Sequence, residues 1–135
     1  MSHRILVVDD SEDMRNILMI QIRSFTNADP CVAASAEEAI SFVELANEEG
    51  KPFALILMDI RMPEMSGVEA AKQLRAKGFS GVIAACTAAT SGSGRRESIE
   101  AGIDAYFDKR VLKKDTILAL LAKARQPTVK TEIER

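Results

Sequence analysis

The sequence predicts an α/β fold, a doubly wound parallel sheet with helices on both faces, from three observations. Short apolar runs alternate with helix-like stretches along the chain. The runs lack the in-out alternation of a strand with one wet face, so both of their faces should be buried. Polar residues fall at or just past the carboxyl ends of the runs, where open α/β sheets bind their ligands. A chain of 135 residues fits one domain, and at that size about two thirds of the unfolded surface can be buried.

The elements follow in order. Residues 5–8 are continuously apolar and are stopped by Asp9, Asp10 and Ser11. Met14, Ile17, Leu18, Ile22 and Phe25 then recur at helical spacing and predict an inward face, with Met19 and Ile20 turned to solvent. Residues 31–34 are a weak second strand. Ser35 with Glu38 three positions later reads as a capping box opening a helix with Ala36, Ala39, Ile40, Val43 and Ala46 on one face. Residues 54–58 are a third strand ending at Asp59, and a loop with Pro63 and Gly67 leads to a helix with Val68, Ala71 and Leu74 inward. Residues 82–86 are a fourth strand ending at Thr87. The glycine- and serine-rich stretch 90–94 should be the most flexible part, followed by a short helix to about Ala101. Residues 105–107 are a fifth strand, and Ile117, Leu118, Leu121 and Ala124 mark a last helix that Pro127 ends. Residues 1–126 thus form the expected domain, and 127–135 a polar tail.

Composition narrows the function classes. The chain is 47% hydrophobic and 28% charged, as soluble globular domains are. Lys plus Arg is 18 against 20 Asp plus Glu, a net charge of −2, which leaves no field to hold nucleic acid or an anionic membrane by charge alone. Cys31 and Cys86 are too few for a disulfide framework or a cysteine zinc site and are expected as small core residues. No signal-peptide pattern is present, and no apolar run approaches the roughly 20 residues of a membrane span. The expected compartment is the cytoplasm.

Asp9, Asp10, Asp59, Thr87 and Lys109 all fall at strand ends, so residues far apart in sequence should converge on one crevice. Taken singly, each has an ordinary reading: helix capping for Asp9 and Asp10, a loop cap for Asp59, a turn for Thr87, a solvated side chain for Lys109. Together they form a chemical set. Two carboxylate charges about 4 Å apart repel by about 4 kcal/mol at an effective dielectric of 20, and a hard divalent cation relieves that. Mg²⁺ suits a site of few carboxylates because it keeps waters and accepts phosphate oxygens. With a lysine charge and a threonine hydroxyl nearby, the set is suited to phosphoryl transfer to a carboxylate.

Over roughly Arg4 to Ala124 the sequence resembles the receiver domains of two-component response regulators. The resemblance rests on the strand-Asp9-Asp10-Ser11 opening, on Asp59-Ile60-Arg61-Met62-Pro63-Glu64-Met65-Ser66-Gly67, on Thr87-Ala88, and on Ala101-Gly102-Ile103-Asp104-Ala105-Tyr106 leading to Lys109. It implies a flavodoxin-like sheet of strand order 2-1-3-4-5. It also implies a phosphorelay switch that takes a phosphoryl group on Asp59 with Mg²⁺ and catalyses its own phosphorylation and dephosphorylation. Asp10 would ligate the metal directly, Asp9 mostly through water, and Arg61 through its backbone carbonyl. Lys109 would pair with phosphoryl oxygens, Thr87 would move to bond the phosphate, and Tyr106 would turn inward behind it. The donor would be a sensor histidine kinase or histidine phosphotransfer protein, the output a protein partner, and the chain a monomer or weak homodimer.

One departure stands out: the family usually has Lys-Pro with a cis bond, where this chain has Lys109-Arg110. A cis bond to a non-proline costs about 2.5–4 kcal/mol. His3 matches no phosphodonor site. A Mg²⁺-dependent phosphatase with an aspartate nucleophile would want a second acid two residues after it, where Arg61 stands, and no glycine fingerprint of a dinucleotide enzyme follows the first strand. Met1 just before the first strand, and the lack of a DNA-binding module after Pro127, favour a single-domain regulator. The alternative is a receiver module of a larger hybrid kinase or multidomain regulator.

Overall fold

A computed structural model describes residues 4–62, 64–87, 101–108 and 113–124. Its elements are β1 (Arg4–Val8), α1 (Glu12–Phe25), β2 (Asp29–Ala33), α2 (Ala36–Glu48), β3 (Leu55–Asp59), α3 (Gly67–Ala76), β4 (Val82–Thr87), β5 (Ala105–Asp108) and α4 (Lys114–Ala124). The strands form one parallel sheet in the order β2-β1-β3-β4-β5, as expected. The short helix expected before Ala101 and the stretch 90–94 lie outside the described residues, as does the tail.

The continuous apolar strands are explained by two separate cores. Leu6, Val8, Ile56, Met58, Ile83 and Ala85 face α2 and α3. Their strand neighbours Ile5, Val7, Leu55, Leu57, Val82 and Ala84 face α1 and α4. Side chains alternate across a strand, so a strand buried on both faces must be apolar at every position.

Serine hydroxyls start the first three helices. Ser11 accepts the Met14 N–H at 3.3 Å, Ser35 the Glu38 N–H at 3.1 Å and Ser66 the Glu69 N–H at 3.2 Å. The capping box at Ser35 is present with a shift: the Glu38 carboxylate accepts the N–H of Ala34 rather than that of the cap itself.

Some expected faces are rotated. Leu18 and Ile22 are the fully buried residues of α1, with Met14 and Phe25 half-buried beside them, whereas Ile17 is 46% exposed and Met19 half-buried. Ile20 points to solvent as expected, at 67% exposure. On α4, Ile117, Leu120 and Leu121 are buried and Leu118 is 44% exposed, so Leu120 takes the inward place expected of Leu118. A five-residue stripe is wider than the sheet and α4 together can cover. Cys31 is half-buried at the edge of the core, on a cavity of about 250 Å³ between β2 and α2 that Arg4, Phe42, Leu45 and Phe53 also line. The side chain of Cys86 lies outside the described residues.

Candidate functional site

β1 and β3 are adjacent and parallel, so the residues just past their carboxyl ends emerge side by side. Asp9 follows β1 directly and is held from three directions. Its backbone N–H donates to the Ala33 carbonyl at 3.1 Å, its Oδ1 accepts the Ser11 N–H at 2.9 Å, and its carbonyl accepts Arg15 Nη1 at 2.8 Å. Asp9 is fully buried; Asp10, next to it, is exposed.

Asp59 closes β3 and is 5% exposed. Its Oδ1 accepts the Arg61 N–H at 3.1 Å, which fixes the carboxylate on the turn that leaves the strand. The same turn is tied to α3, because the Gly67 N–H donates to the Ile60 carbonyl at 2.9 Å. Between them Glu64 adopts φ 72°, a left-handed conformation uncommon outside glycine. Such backbone strain clusters where a site over-determines its loop.

Carboxylate oxygens of Asp9, Asp10 and Asp59 lie within 4.8 Å of one another. Three like charges at that spacing, two of them buried, repel strongly. The donor set is all hard oxygen and few in number, which fits Mg²⁺ better than a cage-seeking Ca²⁺. The exposed Asp10 leaves one side of the cluster open to solvent.

The other expected site residues are placed unequally. Thr87 is the last residue of β4, one beyond the Asp59–Cys86 pairing; its side chain lies outside the described residues. Tyr106 pairs with Ala85 across β4–β5, is half-buried, and packs against the core under α2 and α3. Lys109 and its bond to Arg110 lie outside the described residues. Arg61 is exposed, with its N–H turned to Asp59. Sequence reasoning missed Arg15, which reads as an ordinary solvated arginine in a first helical turn, and the closeness of Gly67 to Asp59. A Cβ at Gly67 would lie 2.6 Å from the Asp59 carbonyl oxygen.

The family model for the response regulator receiver domain matches residues 5–122. The chain is 31% identical over 120 residues to the chemotaxis protein CheY of Halobacterium salinarum, covering 89% of this chain and 95% of that protein. It is 34% identical over 134 residues to the transcriptional regulatory protein SrrA of Staphylococcus aureus, using 96% of its own length but spanning 52%, about half, of SrrA. Among solved structures it is similar to the receiver domain of the histidine kinase CKI1 from Arabidopsis thaliana, determined with Mg²⁺ and BeF₃⁻. The TM-score there is 0.76 at 28% identity, over 92% of this chain and 90% of that one. Vibrio cholerae CheY4 gives a TM-score of 0.78 at 24% identity over 92% and 99%, a likeness of fold alone.

Proposed function

The chain belongs to the response regulator receiver domain family and is a phosphorelay signalling switch; from that premise we propose that Asp59 is the residue that takes the phosphoryl group. The observation that carries this reading is the convergence of Asp9, Asp10 and Asp59 within 4.8 Å at the carboxyl ends of β1 and β3. A carboxylate oxygen of Asp59 attacks phosphorus, the bond from phosphorus to the donor histidine nitrogen breaks, and the electron pair leaves on the imidazole. An acyl phosphate results, and attack by water on phosphorus returns the carboxylate and inorganic phosphate. The protein catalyses both steps on itself.

Asp9, Asp10 and Asp59, with the Arg61 carbonyl, would hold Mg²⁺, which when bound supplies the positive charge that offsets the carboxylates and the incoming phosphoryl oxygens. Lys109 pairs with those oxygens, Thr87 hydrogen-bonds one of them, and Tyr106 turns inward toward the space Thr87 leaves. The test is incubation with Mg²⁺ and acetyl phosphate, with uptake of one acid-stable, base-labile phosphoryl group as the expected result. Failure of any uptake would sink the reading.

The two β1-end aspartates should differ in a Mg²⁺ titration. Asp10 is exposed and reaches the open side of the cluster, whereas the Asp9 carboxylate already accepts the Ser11 N–H. Asp10→Ala is expected to weaken Mg²⁺ about tenfold more than Asp9→Ala, a difference of about 1.4 kcal/mol. Equal losses would show that Asp9 contacts the ion as directly as Asp10.

The donor is a phosphohistidine on a sensor kinase or phosphotransfer protein, and the output is a change in protein partner, from a monomer or weak homodimer. No described helix is long and apolar enough to cross a membrane, in keeping with the cytoplasmic compartment proposed here. For the donor's helical bundle we favour the face where α1 packs on α4, because it leaves Ile17, Ile20 and Leu118 exposed. Ile17 and Ile20 are already partly buried, so covering what remains exposed contributes about 2–3 kcal/mol, roughly thirty- to a hundredfold in affinity. Ile17→Ser with Ile20→Ser should therefore slow phosphotransfer from the cognate kinase while labelling by acetyl phosphate persists. Undiminished transfer from the kinase would remove the patch.

A further inference from the structure

Helix α3 joins the phosphoacceptor turn to the base of β5. Its first residue, Gly67, sits against the Asp59 and Ile60 backbone, too close for a side chain to intervene. The helix has 10 residues, about 15 Å of stiff rod at 1.5 Å per residue. Near its far end, Arg75 spends its guanidinium on the two chain segments that enter β4 and β5. Nη1 donates to the Phe79 and Gly81 carbonyls, both at 2.9 Å, just ahead of β4. Nε and Nη2 donate to the Gly102 carbonyl at 3.1 and 2.9 Å, and Nη2 to the Asp104 carboxylate at 2.8 Å, just ahead of β5.

Asp104 closes the arrangement. Its Oδ2 also accepts the Ile83 N–H at 2.9 Å, and its own N–H donates to the Ile83 carbonyl at 2.8 Å. The turn is shaped around the arginine: Gly102 has φ +99°, and a Cβ there would lie 2.6 Å from Arg75 Cγ. The guanidinium lies over the Phe79 ring at 5.5 Å. Tyr106 follows Asp104 by two residues on β5. The ion pair is partly buried, and its planar fork serves several acceptors at once, which a lysine ammonium cannot reproduce.

We propose that Arg75 is a positioning residue of the switch: α3 acts as a strut from the Asp59 turn to the Gly102–Asp104 turn, and Tyr106 follows the state of Asp59 only while the Arg75–Asp104 clamp holds. This rests on Asp59 being the phosphoacceptor. A displaced turn at one end of a rigid helix must be absorbed at the other, and here the other end is bonded to the start of the strand that carries Tyr106.

The chain has one tyrosine and no tryptophan, so tyrosine emission reports Tyr106 alone. Full-length protein is given Mg²⁺ and beryllofluoride as a phosphoryl mimic, and Tyr106 emission is compared with acetyl phosphate labelling of Asp59. The wild type should show an emission change. Arg75→Lys should retain labelling while the emission change falls to less than about half, within the range of known coupling losses. Asp104→Asn, whose amide oxygen can still accept the Ile83 N–H while the charge that pairs with Arg75 is gone, should do the same and serves if the arginine variant does not fold. Lys77→Met, at the C-terminal cap of the same helix in a surface pair with Glu44, should keep the full response. A full emission change in folded Arg75→Lys or Asp104→Asn overturns the strut. So does loss of labelling together with emission in those variants, which would place the clamp in the chemistry, and so does a silent Tyr106 in a labelled wild type. A wild type that takes no label fails the Asp59 reading instead.

Discussion

Asp59→Asn is expected to leave the protein folded and unable to take up a phosphoryl group from acetyl phosphate or from a phosphohistidine. The amide is nearly isosteric with the carboxylate and its Oδ1 still accepts the Arg61 N–H, so the turn leaving β3 keeps its hydrogen bond. What the variant would lose is the anionic oxygen proposed to attack phosphorus; an amide oxygen is too weak a nucleophile to replace it. The electrostatics move the other way. Removing one of three carboxylates within 4.8 Å relieves repulsion, which reaches about 4 kcal/mol per pair at about 4 Å and an effective dielectric of 20. In the absence of Mg²⁺ the variant should therefore unfold at no lower urea concentration than the wild type. Mass spectrometry after labelling is the direct check. Undiminished label on the variant would falsify the assignment, and a label moved onto Asp9 or Asp10 would show that the cluster offers more than one acceptor.

Gly67→Ala should destabilise the domain by about 3 kcal/mol, the upper end of what overpacking a tight site costs. The new Cβ would lie 2.6 Å from the Asp59 carbonyl oxygen, 2.9 Å from Ile60 Cα and 3.3 Å from the Asp59 carbonyl carbon. All three are backbone atoms that cannot rotate aside, so α3 must lift away from the Asp59 turn and the Gly67–Ile60 hydrogen bond with it. Gly50→Ala is the informative contrast. Gly50 has φ +74° with open space around it, so its cost is left-handed strain alone, about 1–2 kcal/mol. Urea midpoints at equal slope give both numbers. A Gly67→Ala midpoint matching the wild type would show that the turn yields freely, and with it the stiff seat of α3 would go.

Much of the fold and the carboxylate cluster of the candidate site were legible in the sequence, because they depend on patterns a few residues long. Continuous apolar runs such as residues 55–58 announce strands covered on both faces, and the structure covers them with two separate cores. Ser35 and Glu38 announce a helix start through bonds that span three and four positions. Asp9, Asp10 and Asp59 were identifiable because each interrupts the pattern at a strand's carboxyl end. A parallel sheet carries all such ends to one edge, so position along the chain already implied position in space.

Tertiary structure alone decided the rest. Periodicity fixes the width of an apolar stripe on α1 but not its rotation. The sheet and α4 take Leu18 and Ile22 and leave Ile17 out, a choice made by partners distant in sequence. The φ of Glu64 and the closeness of Gly67 to Asp59 have no signature in residue type, since both come from fitting a turn between a strand end and a helix start. Arg75 is the clearest case. In the sequence it is one more basic residue in the last turn of a helix, yet its bonds reach 27 residues to Gly102 and 29 to Asp104. Bonds that span that far exist only after β4 and β5 have packed beside α3, so no local pattern records them.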